Sequence, residues 1–397
     1  MAKKYLQLLV LSTVLFSCSN DSMDYKPVPD NGIDPVKLIL DLPDTPYNYT
    51  NLDWPSHFLT GDGAVMHTDN NSSANPVTDA GATLGRVLFY DRNLSLNRST
   101  ACGSCHRPEK SYADSSPFSH GLYGTPTRRN SMTLINSRFY KRGSFFYDER
   151  ASTLEQQTIM PILDHTEMDL TEAQIITRVQ ENSFFYSTLF SKAFGSSTVT
   201  IKHIEQALAQ FIRSMVSYKS KYDTGRAQVA SMKDPFPNFT APENRGKDLF
   251  MKPFNEGGVN CYACHTTEAF ISPDSGPVNN GVYEVSPATD LGAYETYGTE
   301  NFRGAYKIPT LRNIALTGPY MHNAKFINLE QVVEHYNTGV QNHSNLSPLL
   351  KGDNGLPRKL NLSPEDVTAL VRFLQTLTDV TIQSDPRWLD PFINQHL

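Results

Sequence analysis

Two stretches of this 397-residue chain have residue types and spacing that could do chemistry: Cys102-Gly103-Ser104-Cys105-His106 and Cys261-Tyr262-Ala263-Cys264-His265. A C-x-x-C-H run is the attachment signature of c-type haem. Its two thiols add to the haem vinyl groups, and the adjacent imidazole offers a nitrogen to iron. The competing readings are a redox C-x-x-C pair or half of a zinc site. Zinc needs further thiols, and Cys18 is the one cysteine outside the two motifs. Two complete copies therefore predict two covalent haem c groups, held by Cys102, Cys105, Cys261 and Cys264, with His106 and His265 as iron ligands.

Covalent haem attachment takes place outside the bacterial cytoplasm, so the motifs require an export signal. Lys3 and Lys4 followed by the apolar run Leu6 to Phe16 predict a signal peptide over 1–17, too short to span a bilayer. Leu15-Phe16-Ser17-Cys18 resembles a lipoprotein cleavage box. A lipid on Cys18 would make the product an exported, periplasmic, membrane-anchored lipoprotein. The alternative is a soluble periplasmic protein with a lone cysteine. Residues 18–45, rich in Asp, Asn, Ser and Pro, read as a flexible leash. A net charge of -6 without any basic run argues against nucleic acid as a partner. Hydrophobic content of 39% and mean hydropathy of -0.41 describe a soluble globular protein. The length suits two domains, read as 46–225 and 226–397.

The elements that must position the motifs are helical. Leu84, Val87 and Leu88 mark a helix near 76–90 ahead of the first motif. A long Pro-, Gly- and Ser-studded loop, 107–129, follows that motif. Short helices are expected at 152–161 and within 171–194, and Ile201, Ile204, Leu208, Phe211, Ile212 and Met215 form an amphipathic stripe. Residues 219–239 read as a linker. Thr240 to Glu243 is a capping box opening a helix to Met251, Asn328 with Gln331 caps one reaching Thr338, and Ser363-Pro364 opens the last. No strand ladder is expected. The fold class is mainly α: two cytochrome-c-like helical domains, each with one covalent c-type haem under long loops.

The halves repeat one another. Gly85-Arg-Val-Leu-Phe89 precedes the first motif as Gly246-Lys-Asp-Leu-Phe250 precedes the second, and Thr153-Leu154-Glu155-Gln156 matches Asn328-Leu329-Glu330-Gln331. Seven residues past Leu154 stands Pro161; seven past Leu329 stands Tyr336. Proline carries no donor atom and leaves a coordination position free, whereas a tyrosine oxygen can fill one. The first haem is then open to substrate and the second closed, with Tyr336 as its iron ligand. Tyr336 as a core aromatic is the plainer reading, and Met321 is the rival ligand.

With these marks the sequence resembles the bacterial di-haem cytochrome c peroxidase family, which includes the MauG-type enzymes, over roughly residues 76 to 378. The resemblance rests on Leu84 to Phe89, both haem motifs, Arg129-Asn130-Ser131, Asp148 to Ala151, Glu167-Met168, Pro309 to Asn313 and Pro319 to His322. It implies reduction of hydrogen peroxide to water, with electrons entering at the second haem and passing to the first. The catalytic glutamate falls on Glu167, which would shuttle a proton between the peroxide oxygens, and the accompanying glutamine and proline fall on Gln157 and Pro161. His165 is a weaker rival for that proton. His120 matches a removable distal histidine, or is a solvent-exposed loop residue. A calcium ion between the domains would use the Asn130 side chain and the carbonyls of Thr317 and Pro319. Tyr147 stands where the family has a tryptophan between the haems, and could relay an electron with loss of its phenol proton. Tyrosine at 336, where the peroxidases usually place methionine, is MauG-like.

Three readings of function follow. The leading one is a peroxidase fed by an external donor: a cytochrome c, a cupredoxin or a quinol-linked donor. The runner-up is a MauG-type oxidase of a protein or small organic substrate. A non-catalytic di-haem electron carrier is the third, against which Glu167, Gln157 and Pro161 argue. A homodimer is left open.

Overall fold

The computed structural model describes residues 35–282 and 290–393. The expected signal peptide, Cys18 and the first part of the leash lie outside the described residues. Nine described α-helices exceed four residues: α1 (Asp79–Tyr90), α2 (Leu154–Leu163), α3 (Glu172–Glu181), α4 (Ser183–Phe194), α5 (Ile201–Ser214), α6 (Lys221–Arg226), α7 (Ala241–Met251), α8 (Leu329–Glu334) and α9 (Pro364–Gln375). All but α4 start behind a Ser, Thr or Asn whose side chain accepts a hydrogen bond from a first-turn N–H. Such caps satisfy donors the helix itself leaves open, so the starts are written locally in the sequence. Among the described residues the β-structure consists of isolated bridges.

The two halves share one packing device. A Cβ at Gly85 on α1 would lie 2.0 Å from the Ala207 carbonyl oxygen of α5, and one at Gly246 on α7 would lie 1.9 Å from that of Ala369 on α9. Only glycine lets the two helices touch backbone to backbone there. Four residues further along each helix, Phe89 meets Phe211 with ring centroids 5.3 Å apart, and Phe250 meets Phe373 at 5.2 Å. Burying each such ring contributes roughly 1.5–3 kcal/mol. Each half also uses a left-handed asparagine as a clamp. Asn136 (φ 60°) and Asn313 (φ 61°) donate their N–H groups to the carbonyls of Met215 and Leu377, just past α5 and α9. Their side-chain oxygens accept from the N–H groups of Ser217 and Asp379. These pairs extend the repeat beyond the two stretches read from sequence.

Two boundaries differ from expectation. The stretch 219–239 carries α6 and buries Tyr222 and Phe236 in the second core, directly after Tyr218 in the first. It is structure rather than linker, because its aromatics are spaced to fill that core. At the other end, residues 35–45 are not all leash. Leu40 is buried in the first core and bridges Phe392, while Asp41 N–H donates to the Pro391 carbonyl. The segment 380–392, expected within the second domain (226–397), thus returns to the first core. There Trp388 is buried, its carbonyl accepts from both Tyr90 and Tyr112 hydroxyls, and its indole N–H donates to Ser214.

Candidate active site

Around the first motif, residues of α1, α2, α5 and the loop after the motif line one pocket. Phe89, Cys102, Cys105 and His106 line it together with Glu167 and with Gln157 and Pro161, one turn apart on α2. The His106 ring donates from Nδ1 to the Tyr112 carbonyl at 2.8 Å. That bond fixes the tautomer and leaves Nε2 for a metal, the usual arrangement behind a ligating histidine. Burial pushes the Cys102 thiol up to about 12 and Cys105 to about 11. Thiols that are hard to ionise and unpaired with one another, on the wall of a cavity, fit covalent attachment to haem c.

Glu167 is the one carboxylate on that wall. Burial, aided by the neighbouring Asp164 charge and opposed by Arg150, pushes its carboxyl up to about 7. A group poised there can take and return a proton near neutral pH. Its backbone is held from both sides. The N–H donates to Asp164 O and the carbonyl accepts from Leu122 N–H at 2.9 Å. Gly121 presses so closely on Thr166 that a Cβ would lie 1.7 Å from its carbonyl oxygen.

The two rival histidines lie beside that clamp. His120 bridges Pro126, and its neighbours Ser119 and Gly121 line the pocket while His120 itself is exposed. Successive side chains in extended backbone point to opposite faces, which accounts for that exposure. His165 is exposed too, paired with Asp169 at 3.0 Å, and leaves the cavity to Glu167.

At the second motif, the His265 ring donates from Nδ1 to the Pro309 carbonyl at 3.1 Å, and burial pushes the imidazole down to about 4. Burial likewise pushes the Cys261 thiol up to about 12. The same fit to haem c holds. Tyr336 reaches this site from a π turn, His335–Gly339, that continues α8; such turns recur at functional positions. Burial pushes its phenol up to about 12, the Asn280 amide opposes this, and the thiols of Cys264 and Cys261 add to it. Met321 arrives beside it, with Asn280 Nδ2 3.4 Å from the Met321 sulfur and 3.3 Å from the Tyr336 oxygen. The structure brings both rival donors to one point.

Between the sites, the turn 145–151 and the turn 320–326 are copies. Each closes an isolated bridge, Phe145 to Ala151 and Tyr320 to Phe326. Positive φ recurs at Phe146 and Met321, and again at Glu149 and Ala324. Tyr147 and His322 are therefore equivalent, and their rings stand 6.5 Å apart across the junction of the halves. Tyr306 stacks on His322 at 3.6 Å and meets Tyr147 edge-on at 6.4 Å. Arg129 closes the junction by pairing with Asp148 and Asp290, and Asn130 N–H donates to the His322 carbonyl. Sequence reasoning missed Asn280, Tyr306 and His322. The signal for His322 was its place in the repeated turn, and no local signal marks the other two.

Residues 79–229 match the profile of the di-haem cytochrome c peroxidase family. A cytochrome c551 peroxidase of Nitrosomonas europaea is 32% identical over 301 residues, 75% of this chain and 79% of that protein. The methylamine utilization protein MauG of Paracoccus denitrificans is 30% identical, covering 77% of this chain and 90% of that one. Among solved structures, a MauG-like protein associated with microbial copper homeostasis superposes with a TM-score of 0.69 at 27% identity, over 86% of this chain and 99% of the other. Paired haem-attachment motifs, each inside a copy of one helical frame, agree with all three. The chain is thus an oxidoreductase of the di-haem cytochrome c peroxidase family, to which the MauG proteins belong.

Proposed function

We propose that the protein reduces hydrogen peroxide at the first site with electrons delivered through the second. The observation that carries this is the asymmetry of the distal sides. Pro161, Gln157 and Glu167 line the pocket that holds His106, with no tyrosine or methionine donor paired there as Tyr336 and Met321 are at the second site. A haem held by Cys102, Cys105 and His106 would supply the redox chemistry for the peroxide. Glu167 takes the proton from the inner peroxide oxygen and returns it to the outer one, so that water leaves. Gln157 supplies an amide that can orient the substrate. Tyr336 is proposed as the oxygen ligand of the second haem, and Tyr147, with Tyr306 and His322, as the electron relay between them. These last two roles are supported by position alone.

The test is a steady-state assay of the di-haem protein with peroxide and a reduced small cytochrome or cupredoxin. Peroxide-dependent donor oxidation supports the proposal, and its absence overturns it. The MauG-type reading has one observation of its own, the hard oxygen donor Tyr336, which favours ferric iron and holds oxidising equivalents. Slow turnover with long-lived oxidised haem would select it. Tyr336→Phe should alter the second haem's electron paramagnetic resonance signal and spare the first.

Calcium between the halves is also proposed. Asn130 donates its amide hydrogens to the Ser116 and Pro117 carbonyls, which turns its side-chain oxygen the other way. Its backbone is tied to His322, close in sequence to Thr317 and Pro319. Among the described residues no cluster of three or more His, Cys, Asp or Glu side chains could hold a metal, so such a site would be built from amide and carbonyl oxygens. No described helix is long and apolar enough to cross a membrane. Export, with a lipid on Cys18 as the anchor, is proposed from the sequence and is read by mass spectrometry of the mature N-terminus.

A further inference from the structure

Residues 280, 321 and 336 are far apart in the chain, yet one carboxamide joins them. Asn280 Nδ2 lies within hydrogen-bond reach of both the Met321 sulfur and the Tyr336 oxygen. The amide is fixed from several directions. Its Oδ1 accepts from Val282 N–H at 3.3 Å, and the residue's carbonyl lies 3.0 Å from His335 Nε2, on the residue before Tyr336. Next to it, Gly281 at φ +71° leaves 2.7 Å between a would-be Cβ and Val340, and its carbonyl accepts from Gln341 N–H. Asn280 therefore rides on the segment that presents Tyr336. Met321 comes from the other side at φ +75°, a region methionine rarely adopts and one that holds its side chain to a fixed course.

We propose that Asn280 selects the sixth ligand of the second haem, holding the Met321 thioether back and favouring the Tyr336 oxygen. This rests on the reading of Tyr336 as that ligand. Two donor atoms that share one amide also compete for one coordination position. A neutral thioether is a weak acceptor with two lone pairs, and a hydrogen bond to one of them makes the sulfur a poorer donor to iron. An anionic phenolate oxygen gains a charge-assisted hydrogen bond and keeps lone pairs for the metal. The same donor thus handicaps sulfur and supports oxygen. Asn280 is a positioning residue; it need not touch iron.

The experiment uses full-length di-haem protein as wild type, Asn280→Leu, Asn280→Gln and Tyr336→Phe, read by absorption, electron paramagnetic resonance and redox titration. Asn280→Leu should gain the sulfur-to-iron charge-transfer band of methionine-ligated ferric haem. The second haem's potential should rise, as thioether ligation does elsewhere, with the first haem's signal unchanged. Adding Met321→Leu should remove the new band. Asn280→Gln keeps a donor and should resemble wild type. A wild-type spectrum and potential in Asn280→Leu overturns the proposal, as does a thioether band already present in wild type. Should Asn280→Leu not load both haems, Asn280→Asp keeps the shape, removes the donor and is read the same way. Tyr336→Phe separates the two ideas. An unchanged second-haem signal there removes Tyr336 as ligand and the proposal with it. A changed signal beside an unaltered Asn280→Leu removes only the role of Asn280.

Discussion

The two halves carry the same frame and opposite chemistry. Gly85 against Ala207 is repeated as Gly246 against Ala369, Asn136 as Asn313, and the 145–151 turn as the 320–326 turn. Within that frame, two aligned positions bear on ligation. The first half has Phe146 and Pro161 where the second has Met321 and Tyr336. At these two positions the first half offers no side chain able to ligate a metal, and the second offers two. The same offset that relates these pairs carries Glu167 onto Asn342, which is exposed, so the carboxylate also belongs to the first half alone. Duplication supplied the scaffold, and a handful of side chains divided the labour.

The largest expected effect removes that carboxylate. Glu167→Gln keeps size and haem content but should cut peroxidase activity roughly a hundredfold to ten-thousandfold. A loss below about threefold would mean that the asymmetry of the distal sides is not what drives turnover. Next comes the shared frame. Gly85→Ala and Gly246→Ala both force a methyl onto a backbone oxygen, and each should cost about 1–3 kcal/mol in thermal or denaturant unfolding. Costs that differ by much more than this would show that the two crossings are not equivalent supports.

A third comparison uses pH. Glu167 must start ionised to accept the peroxide proton, and its folded-state pKa is raised to about 7. Activity should therefore climb as pH rises through 7 and fall by about tenfold per unit below it. Glu167→Gln should flatten that limb, and equal wild-type rates at pH 6 and 8 would assign the proton to another group. The smallest effect concerns the junction. Chelating the proposed calcium should lower stability by about 1.4 kcal/mol when the cation stands tenfold above its Kd. A chelator without effect on the unfolding temperature would leave the Arg129–Asp290 pair and the Asn130 N–H bond to the His322 carbonyl among the ties between the halves.

What was legible in the sequence was what is local. The motifs, the helix starts behind Thr78, Thr153, Thr200, Thr240, Asn328 and Ser363, and the helical class all follow from spacing and caps. The glycines of the repeat were visible, but not that they face Ala207 and Ala369, since nothing local names a packing partner. Tyr336 was singled out by alignment with Pro161, and the structure sets it beside Met321 at the second motif. Asn280 was invisible, because an asparagine in a Pro- and Gly-rich stretch reads as loop. His120 went the other way: its position in the chain suited a ligand, and the one-residue alternation of extended backbone turned it outward. The stretch 219–239 was read as linker from its turn residues, while Tyr222 and Phe236 were the better guide.

The return of the C-terminal segment has a consequence for how the molecule is made. Tyr90 and Tyr112, which flank the first motif, direct their hydroxyls at the carbonyl of Trp388, and Leu40 near the start of the described chain pairs with Phe392. The first half is therefore unfinished until nearly the last residue has arrived. The order of closure is written into the crossing: the core around Cys102 and Cys105 is completed by the tail.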